Sequence, residues 1–391
     1  MVMGDEAPSG SRAVDLTGDA YLTFTAPFYR TDDPLVPRSA CVLPAGEDLD
    51  GTRTFVRSEV SFASLFNGSL TYGEKPTVGL LTTFAGGNAW RDAVTRRLEH
   101  ELARYSDSLK IASVDAIGAL CPDGYGAVAV TLRIAGGWAV ECRKDLLAAF
   151  GPDGRDQLGH ALRSTLLPPI ERMLRRCGAT DTGGTLPYFN LTFCGETDHP
   201  EPGRSTLDDQ LRALLYPDSP LPLTSRSPWR NQFLYAGYAF NLLATTDPGP
   251  SLSKFSLLLL ILDVAYARLA RTAAAADESL RHGALASDVG WLENLEYRLR
   301  SDYHYLVTPT FSFDHHTLML RDAILQAWGT DRLQSRADSL LSAVRQVIES
   351  RLAEEQAHRV GRVKTVVTAL TILSAIATVE AMFSLFEHIF S

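Results

Sequence analysis

Five hydroxyl side chains, Thr365, Thr368, Thr371, Ser374 and Thr378, recur at spacings of three, three, three and four near the C-terminal end of the sequence, and one carboxylate, Glu380, follows them. At ~100° per residue they form a stripe that drifts slowly around a helix. Three uses compete. The hydroxyls could line a polar path between copies of the helix. They could let helices pack closely, together with Ala369, Ala375 and Ala377. Or each could bond the carbonyl four residues back and do nothing further. A carboxylate inside an apolar segment marks a protein-lined or wet location. Glu380 also lies close enough to Phe386 to reach a far interface.

The stripe sits on TVVTALTILSAIATVEAMFSLF, residues 365–386, whose single charge is Glu380. About 20 apolar residues match the ~30 Å hydrocarbon core of a bilayer. A basic collar of His358, Arg359, Arg362 and Lys364 precedes it. The positive-inside rule then places the bulk of the chain in the cytoplasm, on a single-pass anchor in the cell inner membrane, with membrane lipid as the first partner. The N-terminus has no basic region followed by an apolar core, so it does not read as a signal peptide.

Composition narrows the classes. The 391 residues are 45% hydrophobic and 21% charged, ordinary for a chain that buries a core. A net charge of -9 argues against nucleic acid as a partner, which needs a basic footprint. Cys41, Cys121, Cys142, Cys177 and Cys194 are odd in number and contain no CxxC pair, as reduced thiols of a cytosolic protein would be.

Other chemistry finds weaker carriers. Gly86-Gly87 stand between a strand and a helix, the setting of phosphate-binding turns, but neither GxGxxG nor GxxxxGK[ST] occurs and a plain turn fits as well. In Asp314-His315-His316 the two imidazoles would point ~100° apart on a helix. That suits an N-cap with exposed rings better than a shared metal. His304 has no evident place. Cys194, Glu196, Asp198 and His199 cluster after a strand and could hold a metal or act as a dyad; a polar loop explains them equally. No catalytic residue, metal or cofactor is assigned, and the sequence points away from an enzyme.

The elements that must position these residues read as α+β. Residues 1–18 are Gly, Ser, Pro and Asp rich and predict disorder. YLTFTAPFY (21–29) reads as a strand. From residue 76 the order strand, helix, strand, strand, helix, strand follows, ending with YFNLTFCGE (188–196). This is the order of a ferredoxin-like (split βαβ) domain, placed at 19–196. Trp90, Val94, Leu98 and Leu102 mark its first helix, and Pro168-Pro169 should break or kink its second. A linker at 197–227 leads to a helical domain at 228–330, with helices expected at 228–244, 253–275, 288–306 and 314–328. The run FSLLLLILDVAYARL (255–269) is too short between Lys254 and Asp263 to span a bilayer, so it reads as a buried helix. After Gly329 one helix could run to about 386, with a stalk at 331–362 and a transmembrane helix at 363–387. Leu333, Ala337, Leu340, Val344 and Val347 form a coiled-coil seam, which predicts a homo-oligomer through the stalk; the competing use is packing on the same chain's helical half.

A helical half, a long helix, a basic collar and a Thr-rich membrane helix together resemble the CorA-type magnesium channels, in which a stalk helix becomes the pore-lining first membrane helix. The likeness is carried by RLAEEQAHRVGRVKTVVTALTILSAIATVEAMF (351–383) and, more weakly, by LLLLILDVAYARL (257–269), and it covers about the last 140 residues. The family's Gly-Met-Asn signature stands here as Ala381-Met382-Phe383, so only Met382 carries over, and no second apolar segment follows. The resemblance implies an oligomeric channel or membrane effector whose cytoplasmic domain senses a small ligand or a protein. In a bacterium this would suit stress or defence. The alternatives are a membrane-tethered scaffold without a pore, and an enzyme or nucleotide-binding signalling domain in the α/β part.

Overall fold

The structure, a computed structural model, describes residues 13–14, 16–30, 48–49, 52–53, 82–85, 88–121, 124–176, 183–197, 206–207, 232–237, 240–282, 289–307 and 315–390. Gly86-Gly87, Asp198, His199, Asp314, Cys41 and Cys177 lie outside them.

In chain order the strands are β1 (Ala13–Val14), β2 (Thr17–Arg30), β3 (Asp48–Leu49), β4 (Thr52–Arg53), β5 (Thr82–Ala85), β6 (Ile111–Leu120), β7 (Gly126–Ile134), β8 (Gly184–Thr185), β9 (Asn190–Glu196), β10 (Thr206–Leu207), β11 (Gln232–Ala236) and β12 (Phe240–Thr245). The helices are α1 (Asn88–Leu102), α2 (Val140–Phe150), α3 (Pro152–Arg176), α4 (Pro248–His282), α5 (Val289–Val307), α6 (His315–Ala327) and α7 (Thr330–Phe390).

The protein is α+β. Its centre is a mixed seven-strand sheet in the order β11-β12-β9-β2-β7-β6-β5, with β8 adding to the end of β2. Neighbours are antiparallel except β9 and β12, which run parallel. Residues alternate between two buried faces. On one, Leu22, Phe24 and Phe28 of β2 and Val128, Val130 and Leu132 of β7 meet α1, α2 and α3. On the other, Ala127 and Ala129 meet Leu257, Leu260, Ile261 and Val264 of α4, while Leu243 and Cys194 pack with Leu258 and Leu262. A polar row crosses that second face: Thr131, Thr23, Thr192 and Asn241 are register partners on four adjacent strands. They bond one another, Thr23 Oγ1 to Thr131 Oγ1 at 2.9 Å and Asn241 Nδ2 to Thr192 Oγ1 at 3.2 Å, as buried polar groups must.

The ferredoxin-like arrangement is corrected by the strand order. A split βαβ would put the first strand of the set, β5, between β9 and β7. That place belongs to β2, and β5 pairs with β6 at the edge. In place of the helix expected at 228–244 stand the antiparallel strands β11 and β12. Phe233 and Leu242 face the α3 side and Leu234 and Leu243 the α4 side, so both faces are apolar and no period-2 signal survives in the sequence. The helical half therefore begins at Pro248 and lies on the sheet. Pro168-Pro169 do not break α3, which runs unbroken from Pro152 to Arg176. Pro168 is exposed, where freed carbonyls meet water, and buried Leu166, Ile170 and Met173 hold both flanks of the helix on the core.

Gly329, at φ 65°, sets the direction of α7. Its N–H bonds the Gln326 carbonyl at 3.1 Å, and Thr330 Oγ1 closes on the Leu325 carbonyl at 2.8 Å, ending α6. Glycine is suited to this positive φ because it lacks a Cβ.

Candidate functional site

The helix α7 has 61 residues and would be roughly 90 Å long. Its first part is a packing element. Ala337, Leu340, Val344 and Ile348 are buried in the helical core with Leu292, Leu295 and Leu299 of α5. Arg336 pairs with Asp277 of α4 at 2.7 Å, and Arg345 with Glu296 of α5 at 2.7 Å. The seam expected to join copies thus packs on its own chain: Leu333 and Val347 complete the same contact. Of the two uses the sequence leaves open for this seam, packing on the helical half of the same chain is the one present.

Beyond it the helix stands alone. Every described side chain from Leu352 to Glu380 is exposed, including Val363 at 62%, Leu370 at 60% and Leu373 at 61%. The helix contains a window long and apolar enough to cross a membrane, none of it buried in the molecule. Apolar surface on this scale is normally covered by lipid or protein.

The hydroxyl stripe resolves in part. Thr365 Oγ1 donates to the Gly361 carbonyl at 3.0 Å, Thr371 to Val367 at 2.8 Å and Thr378 to Ser374 at 2.7 Å. These three follow the plain i-4 use, which also makes a hydroxyl compatible with hydrocarbon. Thr368 and Ser374 are exposed on the same helix. Glu380 is exposed too, but two residues of helix turn it about 160° from Thr378. The carboxylate and the end of the stripe therefore do not share a face. The collar residues His358, Arg359, Arg362 and Lys364 are all exposed, and Arg359 reaches Glu355 only at 3.8 Å.

A second feature was not singled out by sequence. Where the chain enters β9, a groove of about 420 Å³ opens. Arg155, Asp156, Gly159, His160 and Arg163 of α3 form one side. Pro187, Tyr188, Phe189 and Asn190 form the other. Arg163 Nη2 donates to the Pro187 carbonyl at 3.2 Å. Arg155 lies 4.7 Å over the Phe240 ring and 3.2 Å from Asp156. The legible signal was Arg155, Gly159 and Arg163 at i, i+4 and i+8, which puts a glycine between two arginines on one helix face.

Two residues of this groove also reach Asp263, which α4 presses against the sheet. Asn190 Nδ2 donates to its Oδ1 at 3.1 Å and the Tyr188 hydroxyl at 3.4 Å. Thr25 faces the same carboxylate and adds to its electrostatics, but Thr25 Oγ1 and Asp263 Oδ2 fall outside hydrogen-bond geometry and both are unpartnered. Complete burial pushes the Asp263 carboxyl up to about 7, against the three polar neighbours that favour its charge.

The weaker candidates separate. Cys194 is fully buried, and burial raises its thiol far from reactivity, whereas Glu196 is exposed at the strand end; the two form no dyad. His304 is exposed in the last turn of α5 and His315 at the start of α6. Among the described residues no three His, Cys, Asp or Glu side chains come together as a metal site. Comparison with protein-family models, with curated proteins and with solved structures finds no match to this chain.

Proposed function

We propose that the protein works at a membrane, with its α+β body on the cytoplasmic side of the inner membrane and one span at residues 363–387. The uncovered apolar length of α7 carries this reading, and the collar at 358–364 orients it. Within it, we infer a membrane effector of the CorA-like kind: copies associate through the span, and the body responds to a ligand or partner. One helix cannot enclose a path, so any transport requires several copies. With the 333–347 seam occupied inside each chain, contact between copies falls to residues 352–386.

A tether or scaffold without a path is the second reading. Three stripe hydroxyls return to their own backbone, and Glu380 faces away from Thr378, which both favour it. Ion flux into liposomes decides between them. The effector reading expects flux from wild-type protein that changes in Thr371→Leu and in Glu380→Leu, since each places an apolar wall where a polar group stood. Wild-type protein that inserts but conducts nothing, with or without cell extract as a source of ligand, leaves the scaffold.

A further inference from the structure

The chain is acidic overall, at -9, yet the groove at the start of β9 gathers two arginines and a histidine against a single aspartate. Its volume is in the range of small-molecule sites. The opposite wall supplies apolar surface from Pro187, Tyr188 and Phe189. Both guanidinium groups are held in place, Arg155 by the Phe240 ring and Arg163 by the Pro187 carbonyl. Arg163 Nε is buried and has no hydrogen-bond partner, a donor of the kind that a bound acceptor would satisfy. Gly159 lies between the two arginines: a Cβ there would touch Phe189 Cδ2 at an ordinary van der Waals distance of 3.5 Å, so one methyl would fit but a larger side chain would extend into the groove.

We propose that this groove binds a phosphate-bearing small molecule, with the phosphate on Arg155 and Arg163 and the rest of the ligand against Tyr188 and Phe189, and that α4 registers its presence through Tyr188 and Asn190. Phosphate is favoured over a single carboxylate because it carries close to two charges and several strong acceptors, suited to the unpartnered Nε of Arg163, an imidazole beside it and the charge of Arg155, whose Nε and Nη2 already face Asp156. The route inward is short. Tyr188 and Asn190 line the groove and also hold Asp263 of α4. The same helix holds Arg336 of α7 through Asp277. A ligand that draws either residue toward the groove alters how α4 sits on the sheet. The proposal rests on the sensing role given to the body above, and supplies its ligand class and site.

The test uses the full chain in lipid nanodiscs, with calorimetry against inorganic phosphate and adenosine monophosphate, and binding to phosphatidylcholine vesicles with and without phosphatidic acid. Two variants probe the groove. Arg163→Gln removes a phosphate contact. Gly159→Leu fills the space by volume and stays informative if the loss of the Pro187 contact disturbs folding. Saturable binding of a free probe, weakened tenfold or more in both variants at unchanged melting temperature, supports a soluble ligand. Binding that depends on phosphatidic acid and is weakened in the same variants supports a lipid headgroup as the source of the same chemistry. Asp263→Ala, which lies outside the groove lining and removes the acceptor of the Asn190 bond, should retain binding but lose the ligand-induced change in α4 hydrogen exchange. Absence of binding to all three probes, or binding that both groove variants leave unchanged, overturns the proposal. Membrane insertion of the variants stays at the wild-type level in every case, so failure here is distinct from failure of the membrane reading.

Discussion

Val344 and Val363 belong to one helix, less than 30 Å apart at ~1.5 Å per residue, yet the first is fully buried and the second 62% exposed. Around Val344 the apolar residues form a stripe at alternating spacings of three and four, with Arg336 and Arg345 beside it reaching acidic partners on α4 and α5. Around Val363 and beyond, apolar residues lie on every side, and their neighbours are exposed. A stripe needs one partner surface, whereas an all-round apolar helix needs cover on every side, from lipid or from protein. The same chemistry therefore builds a core contact at one end of α7 and, on the membrane reading, an anchor at the other.

Removing the second half should have the largest effect. A chain ended after Val360 is expected to leave the membrane fraction completely while its body melts as before. Flotation on a density gradient and thermal unfolding measure the two; release of the intact protein by high salt alone would show that no anchor existed. Next in size is a charge placed in each half. Val344→Asp buries a carboxylate and should cost ~3 kcal/mol or more of body stability. Leu370→Asp should leave the body's melting unchanged and oppose insertion by roughly 3 kcal/mol. If both variants merely lower the melting temperature, the two halves do not differ in the way described.

A pair of carboxylates sharpens the contrast further. Asp263 and Glu380 both sit in apolar stretches of helix, one enclosed by protein and the other exposed. With its folded pKa raised from 3.8 to about 7, Asp263 keeps its proton in the native chain across a window where the unfolded chain has lost it. Stability then falls as pH rises through that window, and the full cost is present above pH 7. Wild-type protein should be more stable at pH 5 than at pH 8, by an amount on the order of a few kcal/mol. Asp263→Asn should flatten the profile, as chemical denaturation at the two pH values would show. Asp19, whose carboxyl is lowered by the Gly136 N–H and then by Arg133, loses its contribution only as pH falls below the usual carboxylate range, outside this window. The smallest effect is expected from Arg345→Ala. Its pair with Glu296 is more than half exposed on the arginine side, so the loss should stay within ~1 kcal/mol and shrink with added salt.

Legibility in the sequence followed solvent exposure. β6 and β7 were readable with their hairpin, where Gly124 at φ 83° and the Cys121 N–H to Tyr125 carbonyl bond of 2.7 Å close the turn. The buried character of 255–269 was readable from its length and from Asp263. The strands at 232–245 were not, because covering both faces erases alternation. Nor was α2, whose Glu141, Arg143, Lys144 and Asp145 give a short helix little apolar period. The place of β2 in the sheet is a long-range pairing that no local pattern encodes. The seam of α7 was visible, but a stripe does not say whether its cover belongs to the same chain. The hydroxyls at 365–378 were visible too, whereas the return of Thr365, Thr371 and Thr378 to the backbone was not. The groove was missed because its two walls are separate segments, 155–163 and 187–190, each ordinary alone.

The bare stretch of α7 between its last core contact and its apolar part also sets a distance. From Ile348 to Thr365 the helix is unbroken, and at ~1.5 Å per residue it rises about 25 Å. The Debye length at physiological ionic strength is ~8 Å. On the membrane reading, an acidic body is held about three screening lengths from the headgroups. It can stay strongly negative without being repelled by an anionic leaflet, while the collar at 358–364, at the near end of the spacer, feels that surface fully.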